Sequence, residues 1–425
     1  MWRFFVYSIM GIICFFIPLS INGKKTILVD HIVQWISAAM GPTLPYYALL
    51  LMIIGAIYPI VKGHWRKSVT DFIFTVFKAF GVVVGVMVVF NIGPAFVRNP
   101  KLGPFLYEKL AIPLSVLIPV GAVLLSLLVG YGLLAFVGVL CRPIMRPIFK
   151  TPGKSAVDAV ASFVGSYSIG LLITNKVYKE GAYTYKEAVI VATGFSTVSA
   201  MFMVIVARTL GIMEHWNLFF WSTLVITFVV TAITVRIPPI SMASEETYDD
   251  VPYQEEIRRD MPMLKEAWLE AKQALQSSVS LWENVKGNII DGVKMVTAIV
   301  PSIMSIGFLG LVIAEYTPIV HYVSYVFYPI LSIFQLEQIG MLAEAATVSV
   351  LEMLLPAAMA QDGDMITRFT VSVLSVSSII FFSSVVPVIL STDIKIPVWK
   401  LVVIWFERVT LTLVLTIPLA IFLFH

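Results

Sequence analysis

Apolar residues run along this chain in long blocks separated by short polar joints. A bilayer-spanning helix needs about 20 largely apolar residues at 1.5 Å each. Blocks of that kind lie near residues 4–21, 46–61, 72–90, 112–140, 185–210, 216–235, 288–314, 366–390 and 397–424 and predict transmembrane helices. Two stretches, 154–175 and 336–359, are apolar in outline but interrupted. The first carries Asp158, Ser162, Ser166, Ser168, Thr174 and Asn175, and the second Glu337, Glu344, Thr347, Ser349, Glu352 and Pro356. They predict re-entrant helical hairpins, with full crossing as the alternative. The block at 4–21 follows Arg3 as a secretory signal would, but it ends at Asn22-Gly23-Lys24-Lys25 without a small-residue cleavage pattern, so it reads as a retained first helix.

One segment lies outside the bilayer. Residues 241–260 are acidic, and over 263–282 the apolar positions Leu264, Trp268, Ala271, Leu275 and Trp282 fall near helical spacing. A mobile linker followed by a helix is expected. That helix either lies on the membrane surface or packs into the core.

The parts flanking this linker repeat the order span, interrupted segment, span, span at an offset of 179 positions, which aligns Ser196 with Ser375 and Ser199 with Ser378. Internal repeats are a common plan for secondary transporters. If the interrupted segments do not cross and the N-terminus is cytoplasmic, 16 Lys and Arg fall in inside loops and 7 outside, in line with the positive-inside rule. An odd number of crossings then separates equivalent elements, so the repeats are inverted.

Composition narrows the class. Only 13% of residues are charged and 59% are apolar, against about 25% and 45–50% in soluble domains. A soluble enzyme is excluded. A net charge of +3, with no basic run beside aromatics, gives nucleic acid no footprint. Cys14 and Cys141 form neither a disulfide framework nor a metal or redox pair and read as packing residues. The five histidines make no HExxH, and no serine has a recognisable base. The protein is therefore read as a non-enzyme without metal or cofactor.

Polar residues at bilayer depth are costly and mark pathways. In Gly165-Ser166-Tyr167-Ser168-Ile169-Gly170, two glycines bracket two hydroxyls and a phenol, which suggests a helix break whose freed backbone groups hold a ligand. Small-residue helix packing is the plain alternative. Thr193, Ser196, Thr197 and Ser199 follow the first hairpin, and Ser372, Ser375 and Ser378 the second. About half of these are expected to bond to their own helix. Asp158, Glu344 and Glu352 are candidates to couple H⁺ or Na⁺. Glu407-Arg408 reads as a local ion pair.

The runs Gly153-Lys154-Ser155-Ala156-Val157-Asp158-Ala159, Phe163-Val164-Gly165-Ser166-Tyr167-Ser168-Ile169-Gly170, Thr174-Asn175-Lys176-Val177-Tyr178-Lys179-Glu180-Gly181 and Ala192-Thr193-Gly194-Phe195-Ser196-Thr197-Val198-Ser199 resemble the nucleoside-recognition, or Gate, domain membrane proteins, most closely their YjiH type. The resemblance is specific over 112–236 and looser over 288–425. It implies two Gate repeats, each with a hairpin, similar to the cores of concentrative nucleoside transporters and of ferrous-iron transporter membrane subunits. Some members are split into two chains encoded near an isoaspartyl dipeptidase, which hints at a peptide-like or amino-acid-like substrate. The chain has no GxxxxGKS loop and no cysteine in either hairpin, so iron transport is not expected. Gate-domain spore-maturation proteins offer a second precedent, a membrane scaffold.

The expectation is an all-α polytopic membrane protein with two inverted Gate repeats, each with a re-entrant hairpin. Its parts are N-terminal helices at 1–111, repeats at 112–236 and 288–425, and a linker with an amphipathic helix at 237–287. The expected function is a secondary transporter in the bacterial cytoplasmic membrane, moving a small nucleoside-, peptide- or amino-acid-like solute with H⁺ or Na⁺. The N-terminus and linker are placed in the cytoplasm, and a homo-oligomer is left open. The solute is expected to meet Ser166, Tyr167, Ser168, Asn175, Thr193, Ser196, Ser199, Thr347, Ser349, Ser375 and Ser378.

Overall fold

A computed structural model describes residues 2–424 apart from 22–23, 67–68, 101, 130, 165–166, 198–199, 254–260, 277, 384 and 391. The chain is an almost entirely helical polytopic membrane protein. Among the described residues, five helical runs are long and apolar enough to cross a bilayer, namely Leu28–Val61, Asp71–Val89, Met213–Thr234, Leu281–Tyr316 and Val398–Phe424.

The N-terminal part holds helices Trp2–Phe16, Leu28–Met40, Leu44–Val61 and Val69–Val89. A two-stranded ribbon, Pro18–Ile21 antiparallel to Lys24–Ile27, joins the first two helices. Neither the ribbon nor Leu28–Met40 was expected, because Asp30, His31 and Gln34 break the apolar run. Asp30 and His31 are buried, Gln34 half-buried, and each has a partner: Asp30 meets Arg208 and Gln34, and His31 Nε2 lies 3.0 Å from the Leu19 carbonyl.

Helix Ile112–Val129 packs along helix Leu281–Ser302, its counterpart in the second half. Glycine permits the close crossings: a Cβ on Gly292 would lie 2.8 Å from Pro119 Cα, and on Gly55 1.7 Å from the Thr297 carbonyl. The predicted span 112–140 is in fact two helices, the second being Leu133–Ile144. Before it stands Gly132 with φ +94, where a Cβ would lie 2.6 Å from the Ala271 carbonyl. Only glycine suits that position. Short helices Phe308–Tyr316, Ile319–Ser324 and Tyr328–Leu331, partly outside any predicted span, lead into the second hairpin.

Each half then presents a hairpin, a broken helix and a closing helix. Hairpin 1 comprises Ser155–Val164 and Tyr167–Lys179; its arms touch where a Cβ on Gly170 would fall 1.9 Å from Ser162 Oγ, so they run antiparallel. Hairpin 2 comprises Ile339–Val348 and Leu355–Met359. The next elements correct the sequence reading, because the predicted spans 185–210 and 366–390 are both interrupted. Broken helix 1 is Tyr185–Gly194 and Ala200–Thr209, and broken helix 2 is Met365–Ser377 and Val385–Leu390. The closing helices are Trp216–Thr234 and Val398–Phe424.

The two halves are antiparallel. Arg368 Nη1, at the start of broken helix 2, donates 3.1 Å to the Leu210 carbonyl at the end of broken helix 1. At the opposite face, the Tyr185 hydroxyl at the start of broken helix 1 donates 3.0 Å to the Lys395 carbonyl beyond broken helix 2. The base of hairpin 1 shares this second face through Asn175 and Asp393, while Gln338, at the base of hairpin 2, accepts from Asp364 N at the first face. The hairpins thus enter from opposite faces.

The linker is not a free tether where it is described. Tyr185 N and Lys186 N, which begin a helix and lack intrahelical acceptors, donate 2.7 and 2.9 Å to the carbonyls of Glu246 and Ser244. Tyr248 stacks edgewise on Tyr178 at 5.5 Å, and the Tyr253 hydroxyl accepts from Arg146 Nη2 at 2.8 Å. Helix Met263–Gln276 packs on the protein by one face and leaves Leu264 exposed. It buries Ala267 and Ala271 against Leu133–Ile144, sets Trp268 5.4 Å from Phe4, and pairs Glu266 with Arg142.

A polar centre between two broken helices

Two similar backbone breaks define the centre. Broken helix 1 starts with a capping box between Thr184 and Glu187 and stops at Gly194. The Thr231 hydroxyl of the closing helix shares its one proton between the Gly194 carbonyl at 2.9 Å and its own helix's Thr227 carbonyl at 2.8 Å, and Thr197 N then donates to the Phe195 carbonyl at 2.7 Å in a γ-type turn. Thr231 approaches so closely that a Cβ on Gly194 would lie 2.4 Å from its Cγ2.

Broken helix 2 starts at Asp364, whose Oδ1 accepts from Thr367 N at 2.7 Å, and stops at Ser377. Ile380 N donates to the Ser378 carbonyl at 2.6 Å, repeating the γ-type turn. The equivalent turns start at Phe195 and Ser378, so they align at an offset of 183 rather than 179. Between them in this turn, Ile379 has φ +58, which is strained for a β-branched residue. The unwound segment is held by hairpin 2, since Phe382 N and Ser383 N donate to the carbonyls of Val350 and Leu351 at 2.8 and 2.9 Å.

Arg408 joins the two breaks. It is fully buried in the closing helix Val398–Phe424, donates from Nε to the Ser377 carbonyl at 2.9 Å, and from Nη1 to Thr231 Oγ1 at 3.0 Å. Thr412, one turn on, donates to Ser377 Oγ at 2.8 Å. Through Thr231 the guanidinium is connected to the Gly194 carbonyl as well, so one side chain ties the C-terminal ends of both half-helices. The expected Glu407–Arg408 ion pair is not formed. Side chains on adjacent helical residues diverge by about 100°, and Glu407 Oε2 is buried without a hydrogen bond.

Both hairpins reach this centre. Tyr167, at the tip of hairpin 1, is buried with its ring 6.1 Å from Phe381 in break 2. The turn of hairpin 2 carries Ser349, which accepts from Trp405 Nε1 at 2.9 Å. It also carries the buried Glu352, whose carboxylate accepts from the backbone N–H of Leu354 in the same turn.

The predicted site residues sort into groups. Tyr167, Ser196, Ser349, Glu352, Ser375 and Ser378 lie on the tips and breaks just described or within a turn of them. The hydroxyls of Thr193, Ser196, Thr347 and Ser349 donate to carbonyls of their own helices, Val189, Val191, Ala343 and Ala346. Those of Thr197, Ser375 and Ser378 are buried and make no hydrogen bond. Asn175 stands apart: its Oδ1 accepts from Asp393 N at 2.9 Å, and Lys179 pairs with the Asp393 carboxylate at 3.1 Å. Asp158 is buried near the base of hairpin 1 and accepts from the Tyr183 hydroxyl at 2.8 Å. Glu344 is partly exposed and lies 3.1 Å from His321 Nδ1. Ser166 and Ser199 lie outside the described residues, as does the Ser168 side chain. Among the described residues, no three of His, Cys, Asp and Glu come together.

Arg408 and Thr231, which link the two breaks, are not among the expected site residues. A single arginine near the middle of a 27-residue apolar helix was the available signal.

The arrangement has known relatives. A family model described as nucleoside recognition, Gate, matches residues 111–213. A protein of Alkalihalophilus pseudofirmus, described as uncharacterized, is 31% identical over 441 aligned positions, covering 100% of this chain and 94% of the relative. The sporulation integral membrane protein YlbJ of Bacillus subtilis is 35% identical over 66 residues, 16% of each chain. Among solved structures, CNTnw in an inward-facing substrate-bound state aligns with a TM-score of 0.47 and 10% identity, over 98% of this chain and 90% of that one. CNTnw in an outward-facing state aligns with a TM-score of 0.44 and 13% identity over the whole of both chains. The chain belongs to the Gate, or nucleoside-recognition, family of membrane proteins.

Proposed function

We propose that the protein is a secondary transporter for a small polar organic solute, held where the two hairpin tips meet the two broken helices. One observation supports this reading: each half carries an interrupted helix, the two hairpins pack at the second interruption through Tyr167–Phe381 and Val350–Phe382, and the hydroxyls of Thr197, Ser375 and Ser378 at the interruptions are buried without a hydrogen bond. Freed backbone and polar side chains at bilayer depth persist where they line a solute path. Tyr167, Ser196, Ser375 and Ser378 would contact the solute, with Thr197 and Ser349 beside them.

Glu352 is the acid best placed to couple H⁺ or Na⁺, because it sits in the turn of hairpin 2 while Asp158 and Glu344 are engaged elsewhere. Alternating access would move one hairpin-bearing half against the other. On the positive-inside rule, the N-terminus and linker would face the cytoplasm. Uptake of amino acids, dipeptides and nucleosides into proteoliposomes under a proton or sodium gradient tests the reading. Gradient-dependent accumulation of one of them supports it, and no accumulation of any overturns it. The local likeness to YlbJ favours a second reading, a membrane scaffold. In that case substitutions in the helix around Trp268 would abolish partner binding while Ser378→Ala has no effect.

A further inference from the structure

Arg408 is an electrostatic anomaly. Its side chain is fully buried, and two of its nitrogens are engaged by neutral acceptors, the Ser377 carbonyl and Thr231 Oγ1. Nη2 is buried without a hydrogen bond. Among the described residues no carboxylate pairs with it, and Glu407 Oε2, beside it in sequence, is buried without a hydrogen bond. Helix C-terminal carbonyls offset part of a positive charge. They are not a full countercharge, and a buried guanidinium held by neutral groups alone is costly.

From this we infer that Arg408 is the anion-reading residue of the proposed solute site, and that the solute carries a carboxylate. The inference rests on the transport reading above and sharpens its substrate class. Arg408 contacts the last residue of one half-helix, Ser377, directly and is linked to that of the other, Gly194, through Thr231, so an anion on Nη2 would sit near the point where the halves join. The uncommitted hydroxyls of Ser375, Ser378 and Thr197 belong to the same breaks and would donate to the same oxygens.

Among the described residues of the two breaks Arg408 is the one cation left to face an anion, which favours a singly charged one. The other basic residues of the two broken helices and their closing segments are held away from the breaks. Lys186 pairs with Glu245, Arg208 with Asp30, and Arg368 with the Leu210 carbonyl, while Lys400 lies over Trp399. A phosphate dianion would bring two charges to one cation. A carboxylate matches the single guanidinium, whose planar donors suit its two oxygens.

The test is equilibrium dialysis of the purified full-length protein against an equimolar mixture of L-amino acids, glycyl dipeptides, the C-terminal amides of both, and the four ribonucleosides, with retained compounds identified by mass spectrometry. The expected result is that carboxylates are retained and their amides are weaker by roughly 10- to 100-fold, the worth of a charge-assisted hydrogen bond. Arg408→Gln should abolish the preference, and Arg408→Lys should keep it in weakened form. Because the acid-to-amide comparison is made in the unaltered protein, it does not depend on either variant folding. Retention of ribonucleosides or amides at least as tight as that of the acids overturns the carboxylate inference while leaving transport standing. Retention of nothing from the mixture overturns both.

Discussion

Asn175 Oδ1 accepts a 2.9 Å hydrogen bond from the backbone N–H of Asp393, a contact across 218 positions that fastens the base of hairpin 1 to the end of broken helix 2. Lys179, and after it Asn175, hold the Asp393 carboxyl below the usual carboxylate range by hydrogen bonding its charged form. A depressed folded value means that the tie is fully present above the unfolded value near pH ~4 and is lost as pH falls through the folded one. Asp393→Asn should therefore lower the melting temperature slightly at neutral pH and make no difference well below the carboxylate range. Asn175→Ala should cost about 1 kcal/mol at neutral pH. Thermal unfolding in detergent across that pH range checks both.

Gly194→Ala places a methyl where Thr231 Cγ2 already stands. We expect a loss of about 1–3 kcal/mol through overpacking and displacement of the hydroxyl that Arg408 holds. Thr231→Ser in the same chain removes the clashing methyl and keeps the hydroxyl, so the double variant should recover most of the stability. If it melts no higher than Gly194→Ala alone, the crossing is not the cause.

The hydroxyls predict unequal effects. Ser378→Ala and Ser375→Ala should raise the KM for uptake by roughly fivefold each, about 1 kcal/mol for a lost hydrogen bond. Thr193→Ala and Thr347→Ala should leave KM unchanged, because those hydroxyls are returned to Val189 and Ala343. Equal effects across all four would remove the site assignment.

Glu352→Gln keeps the shape of the hairpin 2 turn and removes its charge. Gradient-driven uptake should fall by more than about tenfold, as expected for an intramembrane coupling acid. Exchange of labelled for unlabelled solute, which needs no net ion movement, should persist. Loss of both in a variant that still melts like the parent would reassign Glu352 from coupling to solute binding.

The apolar blocks and polar interruptions made most helices and both hairpins readable, because length and hydropathy are local properties. The breaks were hidden for the opposite reason. Phe195 and the run Ile379–Phe382 are as apolar as any span, and what stops each helix is a contact from a distant closing helix, Thr231 on Gly194 and Arg408 on Ser377. Leu28–Met40 was lost because Asp30 looks like a surface residue until Arg208, 178 positions away, is beside it. Arg408 was read against its neighbour Glu407, although a helix turns adjacent residues apart. Of the hydroxyls, back-bonding could be expected as a proportion but not assigned residue by residue.

The first arm of broken helix 1 has 10 residues and that of broken helix 2 has 13. Three more residues extend an arm by about 4.5 Å and rotate its end by about 300°. The molecule is therefore built on a repeated plan whose two halves do not mirror each other at the centre. A bound solute would face a hydrogen-bonded glycine end on one side and a serine-rich end under a guanidinium on the other. On the transport proposal, a solute with unlike ends would be carried between them in one orientation.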